Sequence, residues 1–269
     1  MRRGVTGGAL ACLAAAAVAV GFVVHRSGTS APARARDAHS FVSEASRLPK
    51  PEQPAFRVGR PTLLDRRESR ARFAPVLRRA PAHGAPSATS PVVATLEPLT
   101  TEDTTNIVAV IGTASWRGEL WVHVRMPVLP NDVTGWVPRS VLGGYEFVHT
   151  HLVVDRARLV ATLYRDGRKV FSAPVGVGRT ESPTPAGQFY VRDRVSGFGN
   201  AFYGPVAFGT SARSAVLTDW PAGGFVGIHG TNEPDLIPGH VSHGCIRLRN
   251  ADIVRLSRLM PVGTPLTVR

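Results

Sequence analysis

The chain is expected to fold mainly as β-sheet with one clear helix, and three observations lead there. From Pro91 onward, short apolar pieces of strand length alternate with turn residues. An Asp166-Gly167 pair sits between two such pieces, a strong hairpin signal. Only one stretch, after Asn250, repeats its apolar residues at helical spacing. The 269 residues are 43% hydrophobic, enough to build a core, and the length suits one or two domains plus tails.

Residues 1–25 read as a signal peptide or signal-anchor. Arg2 and Arg3 precede an apolar run of 18 residues, Gly7 to Val24, after which His25 and Arg26 restore polarity. The run exceeds the usual signal core of about 7–15 residues, so a cleaved signal and a retained membrane anchor both fit. Basic residues at the start favour a cytoplasmic N-terminus and an exported remainder. No later run approaches the ~18–20 apolar residues of a membrane span, which excludes a polytopic membrane protein.

Residues 26–90 are expected to form a disordered basic linker. They hold thirteen basic and five acidic side chains, while the whole chain carries +13. Most of the positive charge therefore lies outside the folded part, which argues against nucleic acid as a partner, because a nucleic-acid-binding domain gathers charge on a structured face. Leu63 to Arg79 has some helix-forming character before Pro75.

Residues 91–146 are expected to form a small β-barrel. Ile107–Ile111, Leu120–Val124 and Gly135–Val137 read as strands, with a turn at Pro130-Asn131-Asp132. Residues 147–269 are expected to form a second, mostly β domain. Its strands are His151–Val154, Arg158–Tyr164, Lys169–Phe171, Gly187–Val191, Phe225–Ile228 and Leu266–Val268. Its helix follows Asn250 as cap, with Asp252 in the first turn, Ile253, Leu256 and Met260 on one face, and Pro261 closing it.

The chemistry concentrates between Ile228 and Arg249. Cys12 lies in the leader, so Cys245 is the one cysteine of the exported body, and a lone thiol outside the cytoplasm needs a reason to exist. Its neighbours Ser242, His243 and Gly244 are turn residues and not core filler. A thiol attacks carbonyls as thiolate, and a histidine within reach can take its proton. His229, at the end of a strand and followed by Gly230, and His243, two residues from the thiol, are both candidates. Gly244 would permit close backbone approach, and the Gly244 and Cys245 amides could hold an oxyanion.

The motifs His229-Gly230-Thr231 and Ser242-His243-Gly244-Cys245-Ile246-Arg247-Leu248 resemble the L,D-transpeptidases with the YkuD-type catalytic domain. The Asp166-Gly167 hairpin, the turn at Pro183–Gly187 and Tyr203-Gly204-Pro205 add to the likeness, which covers residues 147–269. It implies a YkuD-like β-sandwich in which Cys245 is the nucleophile and His229 its base. Ser242, His243 and Gly244 would then shape the oxyanion and acyl-donor site, and Arg247 would orient substrate. The implied reaction joins peptidoglycan stem peptides by 3→3 cross-links through a cysteine thioester, in the cell envelope, with no metal and no cofactor. Separately, Leu120–Gly143 resembles the bacterial SH3-type domains of envelope proteins, which implies either a spacer or a wall-binding module.

Other readings compete. A cysteine amidase or carboxypeptidase would use the same dyad for hydrolysis. A zinc site would draw on His229, His240, His243, Cys245 and Asp235, though without the paired-cysteine spacing of structural sites. A non-catalytic wall-binding protein would leave Cys245 idle. Trp220, Tyr203 and Phe208 are ambiguous between lining a substrate groove and packing. Nothing in the sequence sets the oligomeric state.

Overall fold

The computed structural model describes residues 62–63, 70–196, 200–218 and 221–269, all within one compact unit, Phe56–Arg269. The apolar run at 7–24, the linker through residue 61 and Trp220 lie outside the described residues. Among the described residues no helix is long and apolar enough to cross a membrane.

Two sheets organise the chain. The first contains β1 (Thr62–Leu63), β2 (Ala71–Pro75), β3 (Ala80–His83), β4 (Val92–Leu96), β5 (Ile107–Trp116), β6 (Glu119–Arg125), β7 (Thr134–Pro138) and β8 (Glu146–Val148). Its strand order is β4-β3-β7-β6-β5-β2-β8, with β1 also pairing β5. The expected strands in this region are all present, each longer by a few residues.

The disordered linker does not extend to residue 90. Ala71–Pro75 pairs with both β5 and β8, and Ala80–His83 with β4 and β7. Nor is there a helix among the described residues 70–79. The reason is burial: Phe73, Ala74, Val76, Ala80 and Ala82 all enter the core, although the arginines and prolines between them look like tether. Trp121 is core, while Trp136 stacks on His123 with ring centroids 4.4 Å apart.

The second sheet contains β9 (Thr150–Asp155), β10 (Val160–Arg165), β11 (Arg168–Pro174), β12 (Gly176–Gly178), β13 (Gly187–Ser196), β14 (Val206–Arg213), β15 (Phe225–His229), β16 (Gly239–Ser242), β17 (Ile246–Arg247) and β18 (Pro265–Val268). Their order is β11-β10-β9-β18-β13-β14-β15-β17-β12-β16. The β10–β11 hairpin turns at Asp166 (φ 49°) and Gly167 (φ 75°), the two positive φ values a two-residue turn needs to follow strand twist. β10 starts at Val160 and not Arg158, because Leu159 adopts a φ of 54° that no strand continues through.

The helix, α1 (Asn250–Ser257), buries Ile253 and Leu256 in the core of this sheet. Asn250 is not its cap: Arg249 holds that position, and the Asn250 side chain turns elsewhere.

The two sheets meet across a buried contact. Phe73, Ile107 and Val148 of the first pack with Tyr190 of the second. The fully buried Tyr190 hydroxyl donates to the Ile107 carbonyl at 3.0 Å. Asn131 clasps the Arg213 backbone through both its amide atoms, and Asp132 accepts from the Gln188 N–H. Removing the hydroxyl strands a buried carbonyl, which costs about 1–3 kcal/mol. Tyr190→Phe should therefore lower the urea midpoint of the full chain by an amount corresponding to that range, with Tyr164→Phe, whose side chain is not in this contact, as the neutral control.

Candidate active site

Strand register brings the candidate residues together. β15 and β17 are parallel neighbours with Ile228 opposite Ile246 and His229 opposite Arg247. Side chains alternate between faces along a strand. Ile228 and Ile246 therefore share the core face, both fully buried. His229 and Arg247 fall on the opposite face, and so does Cys245, two positions before Arg247. Gly227, two before His229, has no side chain there to fill the space. A methyl group on Gly227 would touch His229 Cδ2 at 3.7 Å and Cys245 Sγ at 3.8 Å. The thiol and imidazole thus flank one vacant position on the sheet.

The hydrogen bonds of this pair are specific. Cys245 Sγ accepts from the Gly227 N–H at 3.3 Å. His229 Nδ1 must carry the proton it donates to the Gly230 carbonyl at 2.7 Å. That assigns the neutral ring's lone pair to Nε2, which is buried with no hydrogen-bond partner. His229 is 1% exposed, whereas Cys245 keeps partial solvent access.

The segment carrying His229 is pinned from behind. The Asn250 side chain accepts from the Thr231 N–H at 2.9 Å. Gly230 and Gly204 lie backbone against backbone beside it, and a Cβ on either would strike Asn250 Oδ1. Only glycine fits at both places. The Tyr203 ring meets the imidazole edge-on at 5.0 Å, and Phe202 lies next to both.

The Ser242–Cys245 turn has its own struts. Ser242 Oγ donates to the Cys245 carbonyl at 2.6 Å and accepts from the Gly244 N–H at 3.1 Å. Thr184 Oγ1 donates to the Gly244 carbonyl at 2.8 Å while accepting from the Gly178 N–H. Glycine is needed at 244 for its φ of 118°, and not for close packing, since an added Cβ there finds no neighbour nearer than 3.8 Å. The Gly244 N–H, one of the two amides expected to receive an oxyanion, donates instead to Ser242 Oγ.

Of the residues singled out in the sequence, His229, Ser242, His243, Cys245 and Arg247 line one pocket. Gly230 and Gly244 do not line it; they shape the backbone behind it. Phe202, Tyr203, Leu217, Gly224, Phe225 and Val226 complete the wall. Tyr203 is thus a pocket residue, whereas Phe208 is buried in the core. His240 faces a different cleft, and among the described residues no three His, Cys, Asp or Glu side chains converge as metal ligands. Phe202 and Leu217 had no sequence signal, since each reaches the site from a distant segment, and Asn250 reads in the sequence only as a helix cap.

Charge is sparse and directed. Arg247, 5% exposed, lies over the Phe202 ring at 4.5 Å and donates to Glu233 at 3.2 Å. Burial pushes the His229 pKa down to about 4; the Gly230 carbonyl opposes this and Arg247 adds to it. Burial likewise raises the Cys245 thiol, against weaker pulls from the Gly227 N–H and Arg247. Both shifts favour the uncharged forms, a neutral thiol beside a neutral imidazole.

These features define a thiol–imidazole site on a mainly β domain. Residues 149–268 match the family model YkuD, the L,D-transpeptidase catalytic domain. A putative L,D-transpeptidase YkuD of Bacillus subtilis is 35% identical over 44% of this chain and 65% of its own length. A probable L,D-transpeptidase YbiS of Escherichia coli is 30% identical over 44% of this chain and 44% of that one. The curated relatives are therefore matched over only part of their length. The solved catalytic domain of an E. faecium L,D-transpeptidase is 25% identical, covering 45% of this chain and 96% of that domain with a TM-score of 0.34.

A neutral resting pair has a measurable consequence. Alkylation of Cys245 by iodoacetamide should be slow at pH 7 and keep rising through pH 9, because the buried thiol ionises above the ordinary range of about 8.5. Fast alkylation on a plateau from pH 5 to 8 would mean that a thiolate–imidazolium pair exists at rest.

Proposed function

We propose that this chain is a peptidoglycan L,D-transpeptidase that forms 3→3 cross-links through a thioester on Cys245, with His229 as base. The observation that carries this reading is the placement of thiol and imidazole on one face of paired strands, with Nε2 left as an unmatched acceptor. The match of residues 149–268 to the catalytic-domain family model supports it.

The steps follow from the atoms present. As Cys245 Sγ attacks the carbonyl between the diamino acid of a donor stem and its terminal D-alanine, the thiol proton passes to His229 Nε2. The new oxyanion is received by the Cys245 N–H. Collapse breaks the amide bond, and the imidazolium returns its proton to the departing D-alanine amine, leaving the thioester. An amine of an acceptor stem then attacks the thioester carbonyl. Its surplus proton goes to His229 and on to the released sulfur, so the enzyme ends as it began.

A base held neutral down to about pH 4 is suited to this, because it is unprotonated at any physiological pH. Arg247, fixed by Glu233 and Phe202, would orient the donor, with His243 at the exposed rim. Phe202, Tyr203 and Phe225 form an aromatic wall beside the dyad. The step requires neither metal nor cofactor. Its site would be the cell envelope, with residues 7–24 directing export as a signal or anchor.

Incubation with a stem tetrapeptide and a labelled amine tests this. Labelled cross-linked product, absent in Cys245→Ala, is expected; free acid alone would make the enzyme a hydrolase. His229→Ala should slow acylation by about 10²–10⁴-fold, as for loss of a general base, with its circular dichroism unchanged. Full activity in that variant would contradict the assigned base.

A further inference from the structure

A second cleft lies across the catalytic turn from the thiol pocket, and its chemistry is different. It encloses about 320 Å³, and Arg156, Arg179, Arg269 and His240 stand around it. No acidic side chain lines it. Asp155 holds Arg269 Nε at 3.4 Å, and Glu181 is exposed two positions beyond Arg179.

Arg156 is already oriented. Its Nη1 donates to the Thr184 carbonyl at 2.8 Å, and its Nε is buried with no hydrogen-bond partner. His240 Nδ1 donates to the Gly178 carbonyl at 3.2 Å, which fixes the ring at the opposite wall. Arg179 is exposed, yet its backbone N–H is bound to the Ser242 carbonyl at 3.0 Å.

Three guanidinium groups on one opening exceed what a single carboxylate can neutralise. Their planar donor forks match the oxygens of phosphate. The same walls are tied to the catalytic turn: Arg179 N–H to Ser242, and Arg156 through Thr184 to Gly244.

We propose that this cleft is a phosphate-binding site, for a phosphate-bearing envelope component, and that its occupancy is transmitted to Cys245 through Thr184 and Ser242. It does not depend on which acyl acceptor the enzyme uses.

The test measures binding by the purified full-length chain of three phosphate sources: inorganic phosphate, short poly(glycerol phosphate) and phosphatidylglycerol vesicles. An acetylated peptide with one free carboxylate serves as the rival. Arg179→Gln/Arg269→Gln, both exposed, removes charge from the cleft; Arg168→Gln/Arg258→Gln removes the same charge elsewhere. At least one phosphate source should bind, weakened about tenfold or more by the first double variant and less than twofold by the second. The source bound most tightly identifies the ligand as free phosphate, polymer or lipid. Its saturation should change the iodoacetamide rate at Cys245 at least twofold in the wild type and not in the first double variant.

Equal losses in the two double variants, tighter binding of the carboxylate peptide, or no binding would overturn the site. An unchanged alkylation rate on saturation would overturn the coupling. Failure of the cross-linking assay touches neither result.

Discussion

The pairing of Phe225–His229 with Ile246–Arg247 is the constraint on which the site depends. In this register Ile228 and Ile246 both enter the core, and burying two such side chains favours the register by a few kcal/mol. The same register sends His229, Cys245 and Arg247 to the other face. A slip of one residue would exchange the faces, placing the thiol in the core and an isoleucine in the pocket. The hydrophobic core thus specifies which polar groups meet. Gly227 completes the arrangement by leaving its own position on that face open.

The environment then sets the protonation states. An imidazole this deeply buried, with Nε2 unmatched, is a cost of about 1–3 kcal/mol that packing alone would not retain. It persists because the Gly230 carbonyl, the Asn250 amide and two glycines hold the surrounding backbone in one place. A dry site weakens the tendency of the pair to ionise at rest, yet it strengthens every interaction that develops when charge appears during attack. Arg247 is close enough to oppose imidazolium and to favour thiolate, and its own charge is offset by Glu233.

Much of this was legible in the sequence, and for identifiable reasons. Strands with alternating or continuous apolar residues announced themselves, as did the Asp166-Gly167 turn, whose geometry only a few residue pairs accept. The thiol stood out by being single, and the histidine by its position at a strand end before glycine. The failures are equally physical. Ala71–Pro75 and Ala80–His83 carry arginine, proline and small residues, so their burial comes from strands distant in sequence and leaves no local pattern. Asn250 looked like a helix cap because asparagine at a helix start usually caps; its partner, the Thr231 N–H, lies nineteen residues back. Phe202 and Leu217 enter the pocket from long connections without any periodicity, and the three cleft arginines come from three separate places in the chain.

The central claim is that His229 waits beside Cys245 as a neutral base with its lone pair on Nε2. Nitrogen-15 chemical shifts of the His229 ring, recorded at pH 7 and followed while Cys245 is capped by methylthiolation, test it most directly. The account predicts a protonated Nδ1, a bare Nε2, and a clear shift of the Nε2 signal on capping. An imidazolium spectrum, a proton on Nε2, or a ring indifferent to the cap would contradict it.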